Sequence, residues 1–593
     1  MEQTVKQRNG TPGAKEKILA PVSLALMVSL PFLQPFHTQP IPSFHTEWLA
    51  FLLGLIACIC AVPRADGHSA LAVPRITQLP LALVAAVLLQ LVLGKFAYTA
   101  NAVVISFYLI WSAAIACTAA TLAQQFGDAK LVTVLAWALF AGGIVSALCG
   151  FVQYAGLQQA FNGWVSEPMD LSHHGIYGNL AQQNHFATHL ALAMASGLYL
   201  LMSGHLKLHL LFPALLLMGA ALLLSGSRSA LLYLPWIALL ALLQARANGR
   251  LQLLQRLPSR LVIWVVCWFA LAIAALWLLA RLSHIPQLAR LFDVSAAFGP
   301  RVFLWQHAWA MFLQHPVLGV GFEGFAAELV RQIGDSHQAN PWGVDPYAHD
   351  LLLHLMAVSG SCGLLAFAIP AGLFLKRQIG STMSAERFWL WALLGMLALH
   401  SLLEQPLFYS NFLGLAAVLL GLADPVLSTY SMGRIARSAI LLGSAAAVLV
   451  LLKTWHDYDR LEQTVFGERA ALVDQASRQA VLLELHGTSL LMPLTELSAP
   501  ELFAPNPATA RQNLAFNERV MHVAPTAEVE FRAAVLLADA NQADEAQRQF
   551  DRAAYAYPDY TADYARRFEA LGQADTVRYG ALAAHVRQFM QAQ

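Results

Sequence analysis

Charge is what this sequence has least of. Of its 593 residues only 12% are Asp, Glu, Lys or Arg, against roughly a quarter in a soluble globular chain. The 36 basic and 35 acidic side chains almost cancel, to a net +1, so the basic excess expected of a nucleic-acid binder is absent. Cysteine is as scarce: Cys58, Cys60, Cys117, Cys149, Cys267 and Cys362 all fall inside apolar runs. None stands at metal-site spacing, which reads them as small buried side chains rather than disulfides or ligands. No HExxH pattern accompanies the histidines, and no metal or other cofactor is expected.

What is present is apolar. Hydrophobic residues make up 58% of the chain, in recurring runs near the roughly 20 residues that a bilayer-crossing helix needs. The runs are continuous rather than alternating, which favours helices over a barrel. The expected fold is all-α: a polytopic membrane bundle of about 12–13 transmembrane helices followed by a helical, tetratricopeptide-like domain. Spans fall near 18–36, 47–63, 79–95, 101–124, 131–156, 184–202, 208–225, 229–245, 261–282, 350–374, 387–407, 410–426 and 438–455. The basic start MEQTVKQRNGTPGAKEK precedes the first run without a convincing small-residue cleavage site, so that run is expected to stay as the first helix. Domains are drawn at 1–455, including a long loop 283–349, and at 456–593.

Lys and Arg set the orientation. The N-terminal tail and even-numbered connections carry most of them, from Lys6, Arg8, Lys15 and Lys17 through Arg246, Arg250, Arg256 and Arg260 to Arg434 and Arg437. Odd-numbered connections carry few. By the positive-inside rule the N-terminus lies in the cytoplasm, and loops 157–183 and 283–349 lie outside with the tail. In the tail, Pro525 and Pro558 each close a helical segment, 33 residues apart, near the about 34-residue tetratricopeptide period. Such a unit presents a partner-binding surface or is a plain helical cap.

Five polar stretches need a reason to exist at bilayer ends. GNLAQQNHFATHL (178–190) places Gln182, Gln183, Asn184, His185 and His189 at a span's start. Either the amides hold sugar or phosphate oxygens, or water and backbone satisfy them; a His185–His189 metal pair would lack a third ligand. SGSRSALLYL (225–234) and FGPRVFLWQHAWAMFLQHPVLGVGFEGF (298–325) put Arg228 and Arg301 on the outer side against the charge rule. Guanidinium forks match phosphate oxygens, although a lone arginine there also reads as a snorkelling charge. VDPYAHDL (344–351) sets His349 between Asp345 and Asp350, and HSLLEQPLFYSNF (400–412) brings Glu404 and Tyr409 to a bilayer end. Glu404 is a functional candidate or the partner of a bundle arginine.

These segments, in this order, resemble the O-antigen ligase and polymerase superfamily, and within it the bacterial O-linked protein oligosaccharyltransferases of the PglL type. The resemblance rests on GNLAQQN, SGSRS, the RxxxW…HPVLGVGxxxF segment, AHD and HSLLEQPLFY, and covers most of the membrane region. Two departures stand out: the family usually has Asn where Asp350 follows the key histidine, and often Glu where AVSG offers Val358.

The resemblance implies a multi-pass enzyme of the bacterial inner membrane. It would pass an oligosaccharide en bloc from undecaprenyl pyrophosphate to a hydroxyl, commonly on a pilin-like periplasmic protein. It assigns functional positions to Gln182, Arg228, Arg301, His349 and Tyr409; the sequence itself offers Asp345, Asp350, Asn184 and Glu404 as supporting candidates. His349 suits a general base because its ordinary pKa of about 6.5 lies near working pH. Asp345 or Asp350 would orient it. Rival readings are a ligase onto lipid A core, a polymerase of lipid-linked chains, and, from other classes, a transporter of lipid-linked sugar or a non-catalytic scaffold. Polar residues gathered at one face disfavour transport, whose sites lie near the midplane.

Overall fold

The computed structural model describes residues 14–63, 70–167, 175–247, 278, 281, 295–379, 381, 383–424, 426–499 and 508–592. Among them the chain is helical except for one antiparallel ribbon, in which Ala70–Pro74 pairs with Val426–Ser431. The membrane part comprises α1 (Ala14–Met27), α2 (Phe44–Ala61), α3 (Gln78–Val92), α4 (Thr99–Phe126), α5 (Asp128–Tyr154), α6 (Gln183–Met202), α7 (Leu208–Leu224) and α8 (Ala230–Ala247). After the next described stretch begins come α9 (Ser295–Gln314), α10 (Phe325–Ser336), α11 (Leu351–Gln378), α12 (Ala385–Ser401), α13 (Ser410–Ala423) and α14 (Arg434–Leu461).

Among the described residues, seven helical stretches are long and apolar enough to cross a bilayer: Phe44–Ala61, Arg75–Val92, Thr99–Phe126, Asp128–Tyr154, Gln183–Met202, Leu351–Gln378 and Arg434–Phe466. Shorter apolar helices lie among them at Ile18–Met27, Leu208–Leu224, Ala230–Leu240 and Ser410–Ala423. This is a multi-pass membrane protein. The span expected near 261–282 lies outside the described residues, apart from the isolated 278 and 281. Every other expected span has a helix over it, with several ends displaced, two of them near prolines. The first run stops at Met27 and resumes as a short tight turn over Leu30–Leu33, which contains Pro31. The run expected to reach 407 ends at Ser401, and Pro406, lacking an N–H, opens a separate short turn. Glu404 therefore lies in a bend, not inside a helix.

One long helix is broken where its sequence reads as continuous. Within α11, Gly360 adopts φ 59° and ψ −155°. The carbonyls released by the break are taken by the HPVLGVG segment: Val320 N–H donates to Ala357 O at 2.9 Å and Gly321 N–H to Val358 O at 3.0 Å. In return Ser361 N–H donates to Pro316 O at 2.8 Å. The approach is so close that a Cβ on Gly319 would lie 2.3 Å from the Val358 carbonyl carbon, and one on Gly360 2.4 Å from that of Val317. Freed backbone groups at a membrane surface must be satisfied by protein, and this segment does so. Gln90 of α3 locks the junction by donating to Leu318 O at 2.7 Å and Val358 O at 2.9 Å.

α14 runs without a break through the domain boundary expected at 455/456. The tail adds α15 (Gln475–Leu485), α16 (Met492–Ser498), α17 (Ala510–Val523), α18 (Ala527–Asp539), α19 (Ala543–Ala556), α20 (Pro558–Ala574) and α21 (Thr576–Ala592). Phe531, Phe550 and Phe568 interlock at its centre with Leu582 and Val586. Pro525 follows α17 and Pro558 opens α20, and the Tyr557 hydroxyl donates to the Pro525 carbonyl, tying the two proline junctions together. The tail is seated on the long loop: Ala556 is buried with Phe325, Leu329 and Ile333, and Asn340 N–H donates to Tyr555 O at 2.8 Å. A second tie joins Tyr98, before α4, to the buried Glu496 at 2.6 Å.

Candidate active site

The turn leading into α6 is held by a buried amide. Gln153 of α5 donates to Gly178 O at 2.6 Å and accepts from Gly178 N–H at 2.9 Å, standing in for a backbone partner. Asn179 donates to Leu33 O and Trp164 O, both at 2.9 Å, so the first asparagine of GNLAQQN is structural. The chain then enters α6 at Gln182, whose Oε1 is buried with no hydrogen-bond partner among the described residues. Asn184, two positions on, donates to Glu404 Oε1 at 2.9 Å and accepts from Ser227 Oγ at 2.7 Å. That second bond attaches the SGSRS turn, and so sets Arg228 one residue from the cluster.

Glu404 is the hub. Its Oε1 also receives Arg301 Nη2 at 2.5 Å, while Arg301 Nε donates to the neighbouring Leu403 carbonyl at 2.9 Å. Its Oε2 lies 2.7 Å from His349 Nδ1. The other imidazole nitrogen, Nε2, lies 2.8 Å from Asp345 Oδ2. His349 adopts φ 52°, a left-handed turn rare for a non-glycine residue. Asp345 braces the same turn by accepting Tyr347 N–H at 3.0 Å. Asp350, on the other side of the histidine, does something else: it accepts Leu353 N–H at 2.9 Å and caps α11. Of the two aspartates offered by the sequence, Asp345 touches the imidazole and Asp350 serves the helix.

Burial alone would depress the His349 pKa, but hydrogen bonds to Asp345 and Glu404, and their charges, carry it up to about 9. For Glu404 burial acts to raise the value, yet the bond to His349 and the charges of His349 and Arg301 hold it down at about 2. Each partner keeps the other ionised. Tyr409 lies at the start of α13, its ring edge-on to His185 with centroids 4.7 Å apart. Burial, with nearby acidic groups, pushes its phenol well above the ordinary range, so it remains a hydrogen-bond donor.

Asn184, Arg301, Asp345, His349 and Glu404 are thus joined in one bonded cluster. Arg228 adjoins it through Ser227, Gln182 stands two positions before Asn184, and Tyr409 reaches the same end through His185. The histidines of α6 diverge: His185 faces Tyr409, while His189 stacks flat on Phe32 at 4.5 Å. Among the described residues no three His, Cys, Asp or Glu side chains group closely enough to hold a metal ion.

Comparison with known proteins finds the same ordering of parts. A family model described as protein glycosylation ligase matches residues 176–201, one described as O-antigen ligase matches 213–368, and one described as the C-terminal part of a virulence factor membrane-bound polymerase matches 388–569. A general O-oligosaccharyltransferase of Acinetobacter baylyi is 25% identical over 92% of this chain and 93% of its own length. The chain is thus similar to the O-antigen ligase family over much of its membrane part. It is an enzyme of the oligosaccharyltransferase and ligase type.

The two departures at Asp350 and Val358 find their places in this structure. Asp350 fills an N-cap position, where Asn and Asp serve about equally. Val358 is buried at the α11 break and presents its carbonyl, not its side chain, to Gly321 and Gln90. Sequence reasoning missed Ser227 and Gln153. Ser227 was visible inside the SGSRS turn, but Gln153 lies in an apolar run with no local signal.

Proposed function

We propose that this enzyme moves an oligosaccharide en bloc from undecaprenyl pyrophosphate to a Ser or Thr hydroxyl of a pilin-like protein, at the periplasmic face of the bacterial inner membrane. The observation that carries the reading is the Glu404 hub, which clasps a histidine and an arginine on one carboxylate. The poverty of Lys and Arg in the connections at that end supports the periplasmic assignment. The match at α6 to a family described as protein glycosylation ligase favours protein as acceptor.

In this reading Glu404 fixes the imidazole from the Nδ1 side, leaving Nε2 toward Asp345, whose side chain is 38% exposed. An arriving hydroxyl takes Asp345's place at Nε2 once the Nε2 proton has been given up to solvent. Loss of that carboxylate lowers the ring's pKa, and Nε2 accepts the hydroxyl proton as the oxygen attacks the anomeric carbon. The bond from that carbon to the pyrophosphate oxygen breaks, with inversion. Arg228 and Arg301 take up charge growing on the pyrophosphate, and Gln182 and Tyr409 orient sugar or phosphate oxygens. His349→Ala is expected to lower transfer by about 10²–10⁴-fold at unchanged membrane abundance. Full transfer by that variant to a co-expressed pilin-like acceptor would remove His349 from the chemistry. The match of 388–569 to a polymerase favours one second reading, extension of a lipid-linked glycan. Intact-mass analysis of the acceptor, alongside the length profile of lipid-linked glycan, separates the two.

A further inference from the structure

We propose that the cavity at the seam between the tail and the membrane part binds the phosphate of a bilayer lipid headgroup. The cavity measures about 310 Å³ and is walled by Lys95 from the α3–α4 connection, Arg331 from α10, and His522, Glu530 and Arg552 from the tail. It opens just past the end of α3, a helix long and apolar enough to cross a bilayer. Lys95 comes just after α3, beside Val92 and Leu93, which are 83% and 52% exposed on the apolar surface. A lysine so placed holds its ammonium among lipid phosphates.

The cations outnumber their partners. The Lys95 ammonium makes no hydrogen bond or ion pair among the described residues. His522 has its Nε2 buried with no hydrogen-bond partner there. Arg552 gives a single long bond, 3.3 Å, to Gln549. The acidic groups are mostly committed. Glu328 has both oxygens on Arg331, at 2.5 and 2.8 Å. Glu530 accepts from Gln549 at 2.6 Å, and burial lifts its carboxyl to about 7, so much of its charge is lost near neutrality. Glu518 stands exposed at the rim. What remains is a point charge, a guanidinium fork and an imidazole around a small void, the donor set that suits a phosphate diester. At roughly 30 Å³ per water the void holds about ten waters, room for a headgroup but not for a folded peptide segment. A lipid bound there would seat the tail on the bilayer surface.

The test uses the full chain in detergent, observed by native mass spectrometry during titration with dioctanoyl phosphatidylglycerol, dioctanoylglycerol and inorganic phosphate in turn. The phospholipid should be retained at one per chain, and diacylglycerol lacking phosphate should not. Lys95→Ala, which removes no internal side-chain bond, should weaken retention at least tenfold, and Arg552→Lys should weaken it severalfold, each with its unliganded melting temperature unchanged. Equal retention by wild type and Lys95→Ala overturns the site. So does equal binding of dioctanoylglycerol, or inorganic phosphate bound while the phospholipid is not.

Discussion

Two arginine–carboxylate pairs sit at opposite ends of the same two helices, and they are built differently. Where α11 and α13 end, Arg377 grips Asp424 with Nε at 2.8 Å and Nη2 at 3.0 Å, and Asp424 also accepts Ile76 N–H at 2.6 Å. The Asp424 side chain is 0% exposed. That pair is closed, with fork and carboxylate spent on each other and on backbone. Where α11 and α13 begin, Arg301 gives Glu404 one nitrogen and Leu403 another, and Glu404 divides itself among Arg301, Asn184 and His349. The second pair is open, and its groups are shared out among several partners. A closed pair staples; an open one holds a histidine and a cation ready for something else.

The largest effect should come from breaking each carboxylate. Glu404→Gln keeps the shape but removes the charge that fixes His349, and transfer should fall by about 10²–10⁴-fold while the protein still reaches the membrane. Asp424→Asn should do the reverse. Breaking one side of a buried pair costs about 3–5 kcal/mol, so folded abundance and melting temperature should drop, with near-normal turnover in the surviving fraction. If Asp424→Asn proved inactive but stable, the distinction between the two pairs would be wrong. Next in size is Arg→Lys at each pair. At Arg301 the fork is lost where it is to meet pyrophosphate, and transfer should fall about 10–100-fold, one or two decades being the rate equivalent of about 1.4–2.8 kcal/mol. At Arg377 the same change should show in thermal stability alone.

A smaller effect lies in pH. With its pKa near 9, His349 holds both ring protons at neutrality, so the acid limb of the rate profile should fall high, and Asp345→Asn should move it to lower pH by removing one of the two acceptors. Rates from pH 6 to 10 decide this; an unmoved limb would sink Asp345's part. Stability carries its own signature. The raised His349 value stabilises fully below 6.5 and is lost as pH rises through about 9. The depressed Glu404 value stabilises above 4.5 and is lost as pH falls toward about 2. The melting deficit of Glu404→Gln should therefore be largest between those limits, near pH 5.5, and should shrink by pH 10.

The membrane helices were legible because apolar run length is a direct consequence of bilayer thickness, and spans from 47–63 to 438–455 fall on helices where described. The α11 break was not legible: AVSGSCG is apolar and small, and only the neighbouring HPVLGVG segment makes Gly360 turn. The site residues were legible as types, since histidine, arginine and glutamate at bilayer ends demand partners. Their pairing was not. Glu404 lies more than fifty positions from His349 and a hundred from Arg301, and nothing local sets that distance. The tail's seat on α10 was hidden for the same reason, because Ala556 and Asn340 carry no signal until they meet.

The smallest effect should be at Asp350, and it tests whether the open pair has two aspartate partners or one. Asp350 and Asp345 flank the same histidine, yet Asp350 points its carboxylate at Leu353 N–H. Asn caps a helix about as well as Asp, so Asp350→Asn should change transfer less than about twofold and stability by less than about 0.5 kcal/mol. Asp350→Ala should instead cost about 1 kcal/mol through the lost cap, with the acid limb of the rate profile unmoved. A shift of that limb in Asp350→Asn would mean that Asp350 leaves its cap to reach the imidazole during turnover. The cluster would then share His349 among three carboxylates, and Asp345 would no longer act alone on the Nε2 side.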